Sequence, residues 1–536
     1  MVAKNVAELL RDHVTLEVAC IDRMYLNGYV PGVQTPGGFI RFVKQQLGKP
    51  IPSTVVVAPM RDAFVREIEG FVAREGVEVV EFERGQRKDD LAQARLAHFA
   101  AREGVLFIGK AQEKASVFRT SKRVSRAGTP YPWIWRGTAM PNHYYFYLVD
   151  EDFGPLFIKF CSYFPYAVKM CLNGHEWLQR QLQKEGIPFE RLDNGIASCA
   201  DPARLHALCE ELDETKIDAV FRKWLARLPH PWTAAQHDAG YRYDLSIIQA
   251  EFALTQVLDR PVIGRQLFEE VIREHLDLGR PSQVQLIFGR RVTRRTPGIF
   301  RTRVVTADVL PTLNVQYKWS RIKQYLKLGR ALRTEMVVNN TRDFDIGRRL
   351  SNLPALRQLG FDATRRLLRV ETLSHDCTIG EDTFQQLARP IECNGQRGAA
   401  LRWGEARVMA LMQALCVFVN LPEGFRNADL RAQVAHLLGL DPATYKPGRM
   451  TYDLRRLRLH RLIARVPHSH RYVLTELGLR VAVCWTKIHA RVFRPALSLG
   501  SPRGDPSHPK ALRTNAFAAL DKAFDLLIQN ACLAQT

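Results

Sequence analysis

Four acidic residues stand where their side chains could converge on one site. Asp22 ends a predicted strand, Asp150 and Asp152 follow a later one, and Glu176 opens a predicted helix. Carboxylates from such positions can hold two divalent cations, which activate water and stabilise a leaving oxygen. We therefore predict a metal site with Mg²⁺ or Mn²⁺ as its cofactor. Its candidate catalytic residues are Asp22, Asp150, Asp152 and Glu176, of which Asp22 and Asp150 are the metal ligands.

Two interpretations of these carboxylates stay open. The pattern is typical of metal-dependent nucleases and transposases of the ribonuclease H-like class, as found in mobile elements. Asp and Glu at strand ends are also ordinary turn residues, and in that case the four side chains would be scattered and solvated. Convergence within metal-bridging reach would therefore indicate an enzyme, and scattering would indicate a protein that binds without cutting, such as a replication or transcription factor.

The composition points to a polyanionic partner. The 536 residues include 77 Lys and Arg against 55 Asp and Glu, a formal net charge of +22. Such a balance favours nucleic acid or an anionic membrane as partner. No apolar run approaches the roughly 20 residues of a membrane span, and the first residues lack the features of a secretory signal. We expect a cytoplasmic protein that binds DNA or RNA, with no membrane partner.

Most of the excess charge lies between Pro281 and Arg349. Several of these cations occupy β-prone runs, and alternate positions on an exposed sheet face would form a row that binds phosphates. A solvated charge run is the alternative. A basic hairpin is predicted here, with its turn near Leu328 and Gly329. The predicted phosphate-binding residues are Arg290, Arg291, Arg294, Arg295, Lys318, Arg321, Lys323, Arg330 and Arg333.

A second basic loop leads into a predicted helix at Arg87 and Lys88. Asp89 or Asp90 would cap that helix. Arg87 and Lys88 are then either solvated or part of a phosphate-binding loop, and we include both among the candidate nucleic-acid-binding residues.

Further cations precede the aromatic run Pro130–Trp135, between Lys110 and Arg126. Basic residues beside exposed rings would suit single strands, whose bases stack on aromatic side chains. The rings would alternatively fold back as a lid on the core, and the sequence slightly favours the lid.

The segment from Arg449 to Thr475 has the pattern of a basic helix followed by a hairpin. Met450, Leu454 and Leu457 recur at helical spacing and would face a core. The opposite side is predicted to carry Arg449, Tyr452, Arg455 and Arg456. β-prone runs on either side of residues 467–470 predict a hairpin whose tip adds His468, His470 and Arg471 to the candidate nucleic-acid-binding residues.

With two helical patterns upstream and one downstream, residues 405–494 resemble the winged-helix family of DNA-binding domains. The resemblance implies that the basic helix docks on duplex DNA or structured RNA. A winged helix used for protein contact or dimerisation is the alternative.

A second resemblance spans Asp22 to Val370. It rests on the motifs Arg87-Lys88-Asp89-Asp90, Tyr145-Phe146-Tyr147 with Asp150, Phe164-Pro165-Tyr166 with Asn173 to Trp177, and Lys323-x-Tyr325-x-Lys327 with Arg333-x-Glu335. These resemble a family of uncharacterised bacterial proteins of similar length, from which no activity transfers.

The elements predict an α+β multidomain protein. An α/β domain with an antiparallel meander is expected over residues 1–230, a basic mixed α/β domain over 231–400, and the winged helix with C-terminal helices over 401–536. Within the first domain, Thr15–Ile21 and Met24–Val30 are predicted as the two strands of a hairpin that turns at Asp22. The oligomeric state is not specified by the sequence.

Overall fold

The computed structural model describes residues 6–83, 85–265, 287–288, 297–307, 310–375, 379–393, 395–418, 424–441, 445–467 and 469–489. The chain forms two compact units, Met1–Glu371 and Thr372–Thr536. The predicted boundary at residue 230 falls inside the first unit, and the one at residue 400 falls inside the second. Five predicted binding residues lie outside the described residues: Arg290, Arg291, Arg294, Arg295 and His468.

The first unit is mixed α/β, as predicted, and is built on an eleven-stranded sheet. The strands of this unit are β1 (Val14–Tyr29), β2 (Val79–Glu81), β3 (Gly104–Gln112), β4 (Ala115–Val124), β5 (Pro130–Ala139), β6 (Asn142–Asp150), β7 (Gly154–Cys161), β8 (Val168–Asn173), β9 (Phe189–Arg191), β10 (Ile196–Cys199), β11 (Asp244–Leu258), β12 (Ile299–Ala307), β13 (Leu310–Lys318), β14 (Ser320–Lys327) and β15 (Ala331–Val338). The large sheet has the order β12-β13-β14-β15-β11-β1-β8-β7-β6-β3-β2, while β4 pairs with β5 and β9 with β10.

The described helices of this unit lie before, between and after these strands. They are α1 (Val6–His13), α2 (Pro36–Gln45), α3 (Ala58–Glu75), α4 (Lys88–Leu96), α5 (Gly174–Lys184), α6 (Pro202–Glu211), α7 (Glu214–Leu225), α8 (Ala234–Asp238) and α9 (Leu353–His375). Several begin at side-chain caps that the sequence makes visible, such as Thr35 before α2 and Asn173 before α5. Among the described helices, none is both long and apolar enough for a membrane span.

The large sheet consists of two halves that share a five-stranded arrangement. In each half a long strand, β1 or β11, pairs with the last strand of a four-stranded antiparallel meander, β3-β6-β7-β8 or β12-β13-β14-β15. The first half has an additional edge strand, β2, which pairs with β3 in parallel. The two long strands pair with each other in antiparallel fashion and join the halves. We call β1–β3 with β6–β8 the first half, and β11–β15 the second half.

The predicted hairpin over Thr15–Ile21 and Met24–Val30 is wrong. β1 is one strand of 16 residues that passes straight through Asp22, and the register to β11 shifts between Ile21 and Arg23. Asp22 therefore does not lie at a turn. It is instead buried, with only 6% of its surface exposed, and its charge is compensated by partners elsewhere in the chain.

The apolar core of the first unit joins the sheet to its helices. Alternate residues of β1, such as Met24 and Leu26, are fully buried against rings from the segment after the strand, including Phe39 and Phe42. Burial of such side chains contributes roughly 1.5–3 kcal/mol each. The core therefore holds the two central strands rigidly, and with them the polar side chains described below.

The described elements of the second unit are α10 (Glu381–Ala388), β16 (Ile391–Cys393), β17 (Gln396–Gly398), α11 (Ala406–Phe418), α12 (Asn427–Leu437), α13 (Pro447–Leu459), β18 (Ile463–Arg465), β19 (Tyr472–Leu474) and α14 (Glu476–Ile488). β16 pairs with β17, and β18 pairs with β19. From α11 onward the order is three helices, a hairpin and a further helix. Thr475 caps α14 by accepting a hydrogen bond from the Gly478 amide.

Candidate nucleic-acid interface and buried charge network

The centre of the large sheet holds three buried carboxylates. Asp22 on β1, Glu251 on β11 and Glu335 on β15 each present an oxygen within 4.8 Å of the others. All three residues are at least nine-tenths buried. Asp22 reaches this group at the register shift of β1, because such an irregularity re-aims a side chain. Only Asp22 of the three was predicted as a site residue.

Two cations neutralise most of this charge. Arg333 is fully buried, with Nη2 at 3.0 Å from Asp22 Oδ2 and Nε at 2.9 Å from Glu335 Oε1, the latter an ion pair without hydrogen-bond alignment. Lys323 Nζ donates to Glu335 Oε2 at 3.1 Å. Burial by itself would lower the pKa of Arg333, but Asp22 and Glu335 more than offset this and the pKa is raised. Arg333 therefore stays charged in the sheet.

Neutral groups complete the hydrogen bonding. Asn194 donates to Asp22 Oδ1 at 2.7 Å, and Tyr325 donates to Glu335 Oε1 at 2.7 Å. Glu251 accepts from Gln249 at 2.7 Å. Burial raises the pKa of Glu251; Lys323 opposes this, while Asp22 adds to it. Glu251 thus binds a proton more tightly in this site than a solvated glutamate does.

We call Asp22, Glu251, Glu335, Arg333 and Lys323 the charge network. Its three carboxylates and two cations leave a single net negative charge. A buried guanidinium in contact with two of the carboxylates would repel a divalent cation, and both oxygens of Asp22 and of Glu335 already have partners. The arrangement does not fit Mg²⁺ or Mn²⁺, and we derive no metal-dependent step from it.

The other predicted catalytic carboxylates lie in different surroundings. Asp150, at the end of β6, is buried and accepts hydrogen bonds at 2.8 Å from both Lys223 and Trp224. Asp152 pairs with Lys184 at 2.5 Å. Glu176 lies in the first turn of α5. In the part of the chain that the structure describes, these three join no carboxylate group of the kind that Asp22 joins.

A second network lies in the first half of the sheet. Glu113 accepts hydrogen bonds from Lys159 at 2.7 Å, from Lys88 at 2.8 Å and from the Tyr145 hydroxyl. Burial would raise the pKa of Glu113, but these three donors lower it to about 2. Lys88, predicted to bind phosphate, is therefore held in an ion pair, whereas Arg87 beside it is exposed.

The predicted row of cations on the second half is only partly present. Cross-strand pairing places Arg321 and Lys323 on one face of β14, where Arg321 is exposed. Lys318 instead donates to the Asp343 carbonyl at 3.1 Å. Its backbone takes a φ of +53°. Arg330 forms an exposed ion pair with Glu190. Arg333 is fully buried, and its guanidinium is paired with Asp22 and Glu335. Its assignment as a phosphate-binding residue is therefore wrong.

Helix α13 presents an amphipathic surface close to the predicted one. Met450, Leu454 and Leu457 are buried as predicted. Arg449, Tyr452 and Arg455 are exposed, and so is Arg458, which the prediction omitted. Arg455 forms no ion pair with any residue that the structure describes. This face is therefore cationic and accessible.

The prediction that Arg456 points away from the core is wrong. Arg456 is 5% exposed, donates to the carbonyls of Ala399 and Ala400, and lies 3.8 Å from the buried carboxylate of Asp453. Arg407 binds the same carboxylate at 2.6 Å. Asp453 thus draws both guanidiniums inward, while Arg449, Arg455 and Arg458 are the exposed cations of α13.

The hairpin after α13 contributes less positive charge than predicted. His470 is exposed, but Arg471 is half-buried and donates to the Gly424 carbonyl at 3.0 Å. Arg465 on β18 is exposed and was not predicted. The described cations of this hairpin are therefore distributed over its strands as well as its tip.

The aromatic run near residue 133 is not a lid on the core. It forms β5, in which Tyr131, Trp133 and Trp135 are 38–41% exposed while Ile134 between them is buried. Alternation along the strand explains the difference, because residues two apart share a face. The predicted lid is therefore wrong, and the rings are accessible.

Sequence reasoning predicted neither Glu251 nor Glu335 as a site residue, and it named Glu335 only as part of a resemblance motif. The available signal was a charged residue in the interior of an apolar, β-prone run, since burying a charge is costly without a partner. Comparison with protein-family models, curated proteins and solved structures finds no match for this chain.

Proposed function

We propose that this protein binds nucleic acid, with the exposed face of α13 as its duplex-docking surface. The observation that carries the proposal is the accessible set Arg449, Tyr452 and Arg455 on a helix whose opposite side is buried. Arginine side chains on one helix face bind phosphates together, and each contact releases counterions.

The order of elements supports a winged-helix mode of docking. Three helices, α11 to α13, precede the β18–β19 hairpin and α14. In that mode the third helix enters the major groove and the hairpin contacts the adjacent backbone. The formal net charge of +22 provides long-range attraction to a polyanion. DNA and structured RNA are both compatible with these features.

The experiment is a binding titration of the full chain with a fluorescent duplex at several salt concentrations. We expect Arg455→Ala to weaken binding several-fold and to reduce the slope of log K against log salt by about 1, because one phosphate contact is lost.

The matched control is Arg66→Ala, which removes one exposed arginine from helix α3 of the first unit. It makes the same change in net charge, so equal losses for the two variants would refute docking through α13. A wild-type chain that binds neither duplex nor single strand would refute the proposed function itself.

A further inference from the structure

The β4–β5 hairpin carries a row of aromatic rings on one face. Tyr131, Trp133 and Trp135 occupy alternate positions of β5 and are each about two-fifths exposed. The residues paired with them on β4 are Arg123, Ser121 and Arg119. Directly paired residues share a face of an antiparallel ladder, so rings and guanidiniums alternate across the same surface.

The opposite face of the hairpin is anchored in the core. Phe118 and Ile134 are buried at 5% and 3% exposure and belong to the main apolar cluster. Arg136 on this side donates to the Gln34 carbonyl at 2.7 Å. Because this face is fixed, the ring row cannot turn inward without breaking packed contacts. The rings are therefore held facing away from the core.

The cations lie against the rings themselves. The Arg123 guanidinium is 4.3 Å from the Trp133 ring centroid. Arg119 donates to the Thr138 carbonyl at 2.5 Å and passes over Gly137, where a Cβ would lie only 2.8 Å from the arginine Cδ. A glycine in mid-strand here permits this close approach. The Arg123 guanidinium thus covers one face of the Trp133 ring.

The charge of this segment is one-sided. Residues 114–149 contain no Asp or Glu, while the hairpin and its preceding residue carry Lys114, Arg119, Lys122, Arg123, Arg126 and Arg136. An anionic partner with flat apolar groups is complementary to such a surface. Single-stranded nucleic acid has both, since its bases stack on aromatic side chains and its phosphates bind cations.

Spacing also favours bases. Alternate residues of a strand lie about 7 Å apart, which is roughly twice the 3.4 Å separation of stacked bases. The spacing of the rings is therefore compatible with a stacked base in a gap that no side chain occupies.

An anionic membrane is the competing partner, because Trp, Tyr and Arg also occur at lipid interfaces. A membrane-inserting hairpin would carry its rings at the tip. Here the tip, residues 125–129, reads Ser-Arg-Ala-Gly-Thr, and the rings lie along the strand instead.

We infer that the ring row of β5, with Arg119 and Arg123, is a stacking surface for single-stranded nucleic acid. This inference rests on the proposed nucleic-acid binding and adds the strandedness of one part of the ligand. A chain with a duplex-docking helix in one unit and a stacking surface in the other would bind both forms of nucleic acid.

The test is titration of the full chain with fluorescein-labelled oligothymidylate of about 20 nucleotides, which spans the usual site sizes. We expect Trp133→Ala/Trp135→Ala to weaken binding at least about tenfold. Trp133→Phe/Trp135→Phe should keep most of the affinity, because phenylalanine still stacks. That variant should also lose most of the quenching of tryptophan emission by unlabelled oligothymidylate.

Val124→Ala is the matched control, since Val124 is 63% exposed on the same hairpin but carries no ring. Circular dichroism of every variant checks folding. Unchanged oligothymidylate binding by the double alanine variant, or an equal loss with Val124→Ala, would overturn the inference. So would ring-dependent binding to phosphatidylcholine–phosphatidylserine vesicles without ring-dependent binding to oligothymidylate.

The two proposals fail in different ways. Loss of single-strand binding with duplex binding intact in the double alanine variant supports the stacking surface. If the wild-type chain binds duplex, and the double alanine variant binds oligothymidylate as tightly as wild type does, only this inference is refuted.

Discussion

The two halves of the large sheet neutralise their buried carboxylates in different ways. Each contains a tyrosine that donates to a glutamate which a lysine also binds: Tyr145, Glu113 and Lys159 in the first half, and Tyr325, Glu335 and Lys323 in the second. In the first half two lysines share one carboxylate. In the second, one guanidinium that does not reach solvent contacts two of three clustered carboxylates.

The carboxylates of the two halves differ in how many cations they pair with. Glu113 keeps a partner if either Lys88 or Lys159 is removed, and its side chain is 30% exposed, so water can assist. Asp22 depends on Arg333 for its ion pair within the described residues, at 9% side-chain exposure. A buried charge whose partner is removed is far more costly than an exposed one. The second half should therefore be the more sensitive to substitution.

The largest effect is expected for Arg333→Met. The variant leaves Asp22 and Glu335 as buried charges without their guanidinium, and we expect the free energy of unfolding to fall by about 3–5 kcal/mol. Urea unfolding followed by circular dichroism measures it. Arg330→Met, which removes an exposed arginine three residues away, should change stability little.

A rescue variant keeps this prediction testable if Arg333→Met does not fold. Asp22→Asn/Arg333→Met removes one uncompensated carboxylate together with the cation, and it should recover part of the lost stability. A double variant no more stable than Arg333→Met would show that packing, rather than charge, explains the loss.

A pH-dependent effect is expected at Glu371, which contacts the second half through Gln324. Gln324 on β14 donates to its carboxylate at 2.9 Å, and burial raises the pKa of Glu371 to about 8. Between the ordinary pKa of about 4.5 and this value, the folded state holds a proton that the unfolded state has lost. The contribution of this proton to the free energy of unfolding is therefore fully present below pH 4.5. It is lost as pH rises toward 8, by up to roughly 1.4 kcal/mol per pH unit.

Glu371→Gln should abolish that pH dependence and make the protein more stable than wild type at pH 8. Urea unfolding at pH 5.5, 7 and 8.5 compares the two chains. Parallel stability curves for wild type and variant over this range would contradict the raised pKa.

The smallest effect is expected at Glu113, and in the opposite pH range. Its pKa is lowered to about 2, so its ion pairs stabilise the folded state above pH 4.5 and are lost as pH falls from 4.5 toward 2. Glu113→Gln should be less stable than wild type at pH 7, and the difference should shrink toward pH 3. Glu69→Gln, an exposed change on α3, provides the control.

Local features of this fold could be predicted from the sequence. The β14–β15 hairpin turns at Leu328 and Gly329 as predicted, because both residues take positive φ and glycine favours that conformation. The meander of β6, β7 and β8 also matches the prediction. In these cases neighbouring residues determine the structure.

Features that depend on distant partners could not be predicted. Asp22 resembled a turn residue because its compensating guanidinium, Arg333, lies in the other half of the sheet. Arg456 resembled a surface cation because the carbonyls that bind it belong to Ala399 and Ala400. Helical and strand periodicity identify a face but not the groups that approach it from elsewhere in the chain.

The arrangement shared by the two halves of the sheet has a consequence for biosynthesis. During translation, β8 can pair with one edge of β1 as soon as the first half is complete, but the other edge must wait for β11, which ends at Leu258. A long unpaired strand edge is prone to intermolecular association. Each nascent chain therefore passes through an interval in which its most central strand is also its most aggregation-prone one, and the speed of synthesis between the halves sets how long that interval lasts.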